Sequence, residues 1–161
     1  MTIENELKEF KNSLHTLDLR EISKQGAQNV AFISVDMIEA FAGTGALASQ
    51  RVGAISQGIA SLFNTAYKDL NFKNFILIED RHTKDSKEFE SFLPHALLGT
   101  SETETIEEIK KLSFFKEIKT FYKNSLSIAF NKEFNNFLDQ NPQLDTFIVT
   151  GNCTDMCVYQ C

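Results

Sequence analysis

The clearest structural signal in this sequence is the segment Asn29-Val-Ala-Phe-Ile-Ser-Val35, which is followed at once by Asp36. It is a short, almost continuous apolar run, and such runs are typical of β-strands covered on both faces. A second run of this kind, Asn74-Phe-Ile-Leu-Ile78, ends at Glu79-Asp80. Between the two runs, residues 49–67 carry apolar side chains at helical spacing. The order strand, helix, strand indicates parallel strands joined by a crossover helix.

The same alternation continues along the chain. Residues 102–112 and 129–140 are predicted helices, residues 119–122 a weak third strand, and residues 145–150 a fourth strand. Gly151 begins a turn into another predicted helix at Thr154. We therefore predict a three-layer α/β/α, Rossmann-like fold, with a mostly parallel sheet and helices on both faces.

The predicted domain organisation is a single domain over residues 1–161. Residues 1–28 form an N-terminal helical extension, in which Leu7, Phe10 and Leu14 recur at helical spacing. A sheet of this type normally adds another strand after the turn at Gly151. We therefore expect the end of the last helix and the final strand to be missing after Cys161. The fold would then be truncated after the predicted helix that begins at Thr154 and carries Cys157, the candidate nucleophile discussed below.

Composition narrows the possible functions. The 161 residues include 16 Lys plus Arg and 22 Asp plus Glu, for a net charge of −6, and 42% are hydrophobic. This argues against disorder and against a nucleic-acid partner. No apolar run approaches 18 residues and no signal peptide is recognisable, so no membrane partner is expected. All three cysteines fall in the last nine residues, and we predict a cytoplasmic protein with reduced thiols.

Reactive side chains follow all four predicted strands. Asp36 follows the first strand, Asp80 and His82 the second, Lys123 the third, and Cys157 the turn after the fourth. Each has an ordinary alternative, since Asp36 could cap a helix, Lys123 could be solvated and Cys157 could be a small core residue. Ligands of open α/β sheets bind at the carboxyl ends of the strands. Because all of these reactive side chains are expected at that one edge, the pattern favours an active site.

These residue types suit nucleophilic catalysis. A helix N-terminus and a neighbouring lysine lower the pKa of a thiol, and we expect a value nearer ~6 for Cys157. A carboxylate such as Asp36 can take the thiol proton and return it to a leaving amine. The sharp turn after the fourth strand would point backbone N–H groups at the reacting carbonyl as an oxyanion hole.

The loop after the second strand is a candidate metal site. Two His with two carboxylates suit Zn, Fe or Mn, whereas the alternative is that both His form only local hydrogen bonds. The four residues are Asp80, His82, Glu88 and His95. No structural zinc pattern has the spacing of the three cysteines. The Gly43-Thr-Gly45 segment lacks the dinucleotide fingerprint, so no nucleotide cofactor is expected.

Four blocks of the sequence, in order and spacing, resemble the isochorismatase-like cysteine hydrolases, whose best-known branch is nicotinamidase/pyrazinamidase. The resemblance runs from about Asn29 to the C-terminus. The blocks are Val35-Asp-Met-Ile-Glu-Ala-Phe41, Asp80-Arg-His82, Phe92-Leu-Pro-His95 with Gly99-Thr100 and Glu102, and Thr150-Gly-Asn-Cys-Thr-Asp-Met-Cys-Val158.

The resemblance implies roles for particular residues. It implies a catalytic triad of Asp36, Lys123 and Cys157. The amides of Cys153 and Cys157 would form the oxyanion hole, with a non-proline cis peptide before Cys153. The implied metal ligands are Asp80, His82, His95 and Glu88, and Glu88 stands where many members have His. The aromatic residues that would sandwich a substrate ring are Phe41 and Phe92.

The function implied is hydrolysis of a small carboxamide through a cysteine thioester. The leading substrate is nicotinamide, whose hydrolysis gives ammonia and nicotinate, and the nicotinate serves NAD salvage. A divalent metal would hold the pyridine nitrogen. The alternatives are another small amide or ureido substrate, or a non-catalytic member that serves as an interaction domain. A homo-oligomer is expected.

Overall fold

The computed structural model describes residues 2–161. Its centre is a four-stranded sheet in the order β3-β2-β1-β4, in which all neighbouring strands are parallel. The strands are β1 Val30–Val35, β2 Asn74–Asp80, β3 Lys119–Lys123 and β4 Thr146–Gly151. This arrangement confirms the predicted fold class and the four predicted strands.

Six α-helices accompany the sheet within residues 2–161. They are α1 Ile3–Ser13, α2 Leu19–Gly26, α3 Glu39–Ala42, α4 Gln50–Asp69, α5 Glu107–Lys110 and α6 Lys132–Gln140. The long helix α4 begins where the Ser49 side chain accepts a hydrogen bond from the amide of Arg51, which caps the helix N-terminus. None of the described helices is long and apolar enough to cross a membrane.

The core lies on both faces of the sheet, which explains why β1 is apolar along its whole length. Phe32 points to the face covered by α4, where it packs against Phe63. Its neighbour Ile33 points to the opposite face, which includes Phe134 of α6. Alternate residues of a strand point to opposite faces, so a strand between two layers needs apolar residues at every position.

Three predicted helices differ in the structure. The segment 102–112 contains only the single turn α5, because the preceding residues pair with the loop after β1, with a bridge between Ile38 and Thr105. Helix α6 begins three residues later than predicted, since the Asn131 side chain accepts from the amide of Phe134 and caps the helix there.

The third difference concerns residues 154–160, which form hydrogen-bonded turns and no regular helix. The carbonyl of Cys153 accepts from the amides of Met156 and Val158, at spacings of three and five residues. An α-helix requires a spacing of four. Cys157 therefore does not lie at a helix N-terminus.

Gly151 allows the end of β4 to lie against β1. Its φ is +117°, and a Cβ added there would be 2.1 Å from the carbonyl oxygen of Val35. We expect Gly151→Ala to lower the free energy of unfolding by about 3 kcal/mol, because backbone strain and a backbone clash add together. Urea unfolding measures the change.

Gly58→Ala is the matched control. Gly58 lies in α4 with no atom within 4 Å of an added Cβ. In a helix interior this exchange should raise the free energy of unfolding by roughly 0.5–1 kcal/mol. A neutral Gly151→Ala variant would show that the two strand ends do not need this close approach.

Candidate active site

The carboxyl edge of the sheet brings together the three residues of the predicted triad. The Lys123 Nζ lies 2.8 Å from Asp36 Oδ2 and 3.5 Å from the Cys157 Sγ. Asp36 ends β1, Lys123 ends β3, and Cys157 lies in the turn after β4. All three side chains are buried. The three residues span 121 positions of the sequence, from Asp36 to Cys157, and only the parallel order of the strands makes them neighbours.

The backbone around Asp36 is held from three sides. Asp36 has a φ of +52°, and its amide donates to the carbonyl of Ile78 at 2.8 Å. Its carbonyl accepts from the side-chain amide of Asn152 at 2.6 Å, and its Oδ1 accepts from the amide of Asp80 at 2.9 Å. These contacts leave Oδ2 for Lys123. The carboxylate is therefore fixed in one orientation beside the thiol.

Lys123 lies between two buried carboxylates. Its Nζ donates a hydrogen bond to Asp80 and forms an ion pair with Asp36. Burial alone would lower the pKa of Lys123, but the negative charges of Asp36 and Asp80 raise it above its usual value. The lysine is therefore a permanent cation at neutral pH.

Burial and the charge of Asp80 raise the pKa of Asp36 to about 7, against the opposing effect of Lys123. Burial and the charge of Asp36 likewise raise the pKa of the Cys157 thiol, while Lys123 acts to lower it. The lowered pKa expected for this thiol is therefore wrong for this arrangement. The turn lacks the helix N-terminus that was assumed, and the side chain is buried beside a carboxylate. The thiol needs a base to ionise it.

Two backbone amides near Cys157 have the properties of an oxyanion hole. The peptide bond between Asn152 and Cys153 is cis, as the family resemblance implied. Within residues 2–161, neither the Cys153 amide nor the Cys157 amide donates to a backbone carbonyl. Both residues line the same cavity. Two free N–H groups at one cavity wall can bind a developing negative charge on oxygen.

The four candidate metal ligands form one cluster. Asp80, His82, Glu88 and His95 each offer a ligand atom, and these atoms all lie within 4.8 Å of one another. Asp80 Oδ2, His82 Nε2 and Glu88 Oε2 are buried without a hydrogen-bond partner. Buried polar atoms of this kind call for a partner, and a divalent cation at their centre would supply it.

Contacts outside the cluster orient its histidines. The Nδ1 of His82 lies 2.9 Å from the side-chain oxygen of Asn124, and the Nδ1 of His95 lies 2.7 Å from the carbonyl of Leu93. An acceptor at Nδ1 leaves Nε2 free as a ligand, which is the usual arrangement around protein-bound metals. The residues present therefore fit a divalent metal.

Asp80 connects the metal cluster to the triad. Its Oδ1 accepts from Lys123, and its Oδ2 lies 3.4 Å from His82 Nε2. Burial raises the pKa of Asp80, but the two neighbouring histidines and the charge of Lys123 lower it below its usual value overall. The ligand loop and the Cys157 turn are distant in sequence, yet this one carboxylate belongs to both groups.

A cavity of about 740 Å³ opens over Cys157 and the candidate metal ligands. Phe41 and Phe92, which the resemblance placed around the substrate, both line it. The ring of Phe41 lies 5.3 Å from the ring of His95. The cavity is large enough for a small aromatic amide.

Several site residues were missed from the sequence. Asn124 and Asn152 form the hydrogen bonds described above, and Arg51 lines the cavity. Asn124 directly follows Lys123 and Asn152 directly precedes Cys153, so adjacency to predicted site residues was an available signal. Arg51 is in the first turn of α4, far in sequence from the predicted motifs, and no sequence signal indicated it.

Comparison with known proteins identifies the family of this chain. Residues 30–161 match the family model described as the isochorismatase domain. No curated protein sequence matches the chain. Among solved structures, the pyrazinamidase/nicotinamidase of Streptococcus mutans is 28% identical with a TM-score of 0.66, over 80% of this chain and 75% of that chain.

Two further structures share the fold at lower identity. The N-carbamoylsarcosine amidase of Thermoplasma acidophilum is 22% identical with a TM-score of 0.70, over 82% of this chain and 72% of that chain. The pyrazinamidase of Pyrococcus horikoshii, solved in complex with zinc, is 18% identical with a TM-score of 0.66, over 81% of this chain and 74% of that chain.

The fold and the match together define a hydrolase and confirm the predicted enzyme class, since hydrolases of this kind, nicotinamidases and amidases among them, act on amide C–N bonds. The chain belongs to the isochorismatase family, with structural neighbours that include nicotinamidases.

Proposed function

We propose that this protein hydrolyses a small carboxamide through a covalent thioester on Cys157, and that nicotinamide is the substrate. The observation that carries the proposal is the buried contact of Lys123 with both Asp36 and Cys157 at the wall of the cavity. A buried lysine, carboxylate and thiol have no evident structural use that an apolar cluster would not serve better. This argues against a purely non-catalytic interaction domain.

In the first half of the reaction, Asp36 accepts the proton of the Cys157 thiol as the sulfur attacks the amide carbon. The amides of Cys153 and Cys157 bind the oxyanion that forms. Asp36 then gives the proton to the nitrogen, the C–N bond breaks, and ammonia leaves. Lys123 remains charged and stabilises both anions throughout.

In the second half, Asp36 takes a proton from a water molecule, whose oxygen attacks the thioester carbon. The C–S bond breaks, the carboxylic acid is released, and the proton returns to the sulfur. A base with a pKa near neutrality can both take and return a proton at pH 7. The raised pKa of Asp36, about 7, supports this assignment.

Nicotinamide is supported by the aromatic and metal-binding sides of the cavity. Phe41 and Phe92 offer two rings for a planar substrate. A divalent cation held by Asp80, His82, Glu88 and His95 would supply a Lewis acid for a pyridine nitrogen, which orients the ring. Zn, Fe and Mn all suit this donor set. In this proposal the product, nicotinate, serves NAD salvage in the cytoplasm.

The second candidate substrate is a small ureido or carbamoyl acid. It is favoured by Arg51, which brings a guanidinium to the lining of the cavity and suits a carboxylate on the substrate. Nicotinamide has no carboxylate for this residue to bind. Arg51→Gln should therefore leave nicotinamide turnover nearly unchanged but raise the KM for an anionic substrate.

A substrate screen tests the proposal directly. Ammonia release is measured with nicotinamide, pyrazinamide, benzamide and N-carbamoyl amino acids, with and without a chelator. We expect turnover of nicotinamide and poor turnover of benzamide, which lacks the ring nitrogen. Turnover of only the carbamoyl acids would favour the second candidate, and release of ammonia from none of them would favour the non-catalytic alternative.

The metal assignment makes a separate prediction for Glu88. Glu88→Ala should weaken Zn²⁺ binding by at least about 100-fold, because it removes one of four clustered ligands. Isothermal titration calorimetry measures the affinity without relying on turnover. The matched control is Glu90→Ala, since Glu90 is exposed two residues away and is not in the cluster. Equal affinities in both variants would remove Glu88 from the site.

Metal removal should also separate the substrates. Without the metal, nicotinamide loses its anchor, and a misplacement of about 1 Å can cost roughly 100-fold in rate. Benzamide turnover should be almost unchanged by the chelator. Full nicotinamide turnover after complete metal removal would contradict the anchoring role and favour a metal-independent substrate.

A further inference from the structure

The N-terminal helix α1 exposes a row of large apolar side chains. Ile3, Leu7, Phe10 and Leu14 are 75%, 62%, 64% and 60% exposed, and α1 contains no buried residue. We call these four residues the α1 face. Leu17, beyond the end of the helix, is also exposed. Helix α1 precedes residue 30, where the family match begins, so this face is an addition to the shared fold.

A helix of this length requires a covering partner. Isolated helices shorter than about 12–15 residues are marginal in water, and tertiary packing of an amphipathic face supplies most helical stability in proteins. Helix α1 has 11 residues, and its apolar face packs on nothing buried within residues 2–161. The covering apolar surface must therefore come from outside residues 2–161 of the same chain.

The spacing of the α1 face is that of a coiled coil. The successive separations are four, three and four residues, which assign Ile3 and Phe10 to d positions and Leu7 and Leu14 to a positions of a heptad. The helix ends at Ser13, so Leu14 lies directly at its end and Leu17 lies outside the seam. This spacing keeps all four side chains along one seam, where a second helix with the same spacing can interlock with them.

The charges beside the seam suit another copy of the same helix. Lys11 occupies an e position, which lies beside the seam. In a parallel pair of copies it would face Glu6 of the other copy, and in an antiparallel pair it would face Glu4. Each direction thus brings together opposite charges. The charged residues of α1 are Glu4, Glu6, Lys8, Glu9 and Lys11, a net acidic set that does not favour an anionic membrane surface.

We propose that the α1 face docks against the α1 face of a second copy of this chain and forms a homodimer. Each of the four side chains exposes on the order of 100 Å², so the pair would bury on the order of 1,000 Å², the low end for a specific interface. The dimer is therefore a weak one, with a Kd on the order of 10–100 µM.

Sedimentation velocity of the full chain tests the proposal. The protein concentration should run from about 1 to 300 µM, which brackets the expected Kd. The wild type should shift from monomer to dimer over this range. Leu7→Glu should weaken the dimer by at least about 100-fold, because it places a charge in the seam of both copies. The matched control is Asn12→Glu, which adds the same charge away from the seam and should dimerise as the wild type does.

A charge exchange tests the partner's identity. Lys11→Glu should weaken the dimer, and the triple variant Glu4→Lys, Glu6→Lys, Lys11→Glu should restore it in either helix direction. None of these residues belongs to the active site, so activity and the urea midpoint should stay unchanged in every variant. These readouts separate a lost interface from a lost fold.

Three results would overturn the proposal. The first is a wild-type chain that stays monomeric at every concentration. The second is a Leu7→Glu chain that dimerises like the wild type, which would place the interface elsewhere. The third is a monomeric wild type that cosediments with phosphatidylcholine–phosphatidylglycerol vesicles while Leu7→Glu does not, which would make the α1 face a lipid-binding surface.

Discussion

Cys157→Ala should reduce amide hydrolysis by at least about 10⁴-fold, which is the largest effect we expect from any single substitution. Lys123 contacts the thiol at 3.5 Å, and the acyl group has no other acceptor in the proposed mechanism. Steady-state ammonia release measures the loss. Mass spectrometry of the wild type, quenched during turnover, should show the acyl-enzyme, and the variant should show none.

The matched control for this prediction is Cys153→Ala. Cys153 also lines the cavity, but the mechanism uses only its backbone amide, which alanine retains. We expect this variant to keep its activity within about threefold. A Cys157→Ala chain with activity within tenfold of the wild type would show that catalysis does not pass through this sulfur.

Lys123→Met should have the second largest effect, and it should act on stability as well as on activity. Lys123 is the counter-ion of two buried carboxylates, Asp36 and Asp80. Removing one partner of a buried ion pair costs about 3–5 kcal/mol, because the remaining charge is left uncompensated. Activity should fall by roughly 10³-fold, since neither the thiolate nor the base keeps its cation.

Urea unfolding and ammonia release measure the two effects of Lys123→Met. Adding Asp36→Asn to this variant should recover part of the lost stability, because one uncompensated charge disappears, but it should recover no activity. The control is Lys119→Met, in the same strand but exposed, which should change the free energy of unfolding by less than about 0.5 kcal/mol. Equal stability of both lysine variants would contradict the ion-pair role.

The apolar runs of the chain were sufficient to predict the architecture. Val30–Val35 and Asn74–Asp80 contain few polar residues, and a strand buried on both faces can have no other composition. The helix over residues 50–69 followed equally from its periodicity. Parallel order then placed Asp36, Asp80 and Lys123 at one edge, so the candidate site could be predicted from where the strands end.

Local sequence was a poorer guide where distant segments compete with helix formation. Residues 102–106 were predicted as the start of a helix, but Ile106 donates its amide to the carbonyl of Met37 across the fold. Residues 154–160 bond at mixed spacings around the carbonyl of Cys153. In both segments some backbone groups have partners other than those of a regular helix, and no property of the local sequence indicates this.

The ionisation of the site also depended on contacts that the sequence does not contain. The residue types predicted a thiol activated by a lysine, and Lys123 does contact Cys157. The same lysine is shared with Asp36 and Asp80, and the thiol is buried beside Asp36, so the pKa of Cys157 rises instead of falling. Residue identity thus sets which chemistry is available. The pKa of each group depends on its burial and on the charges of neighbours from four strands, and these neighbours come together only once the chain has folded.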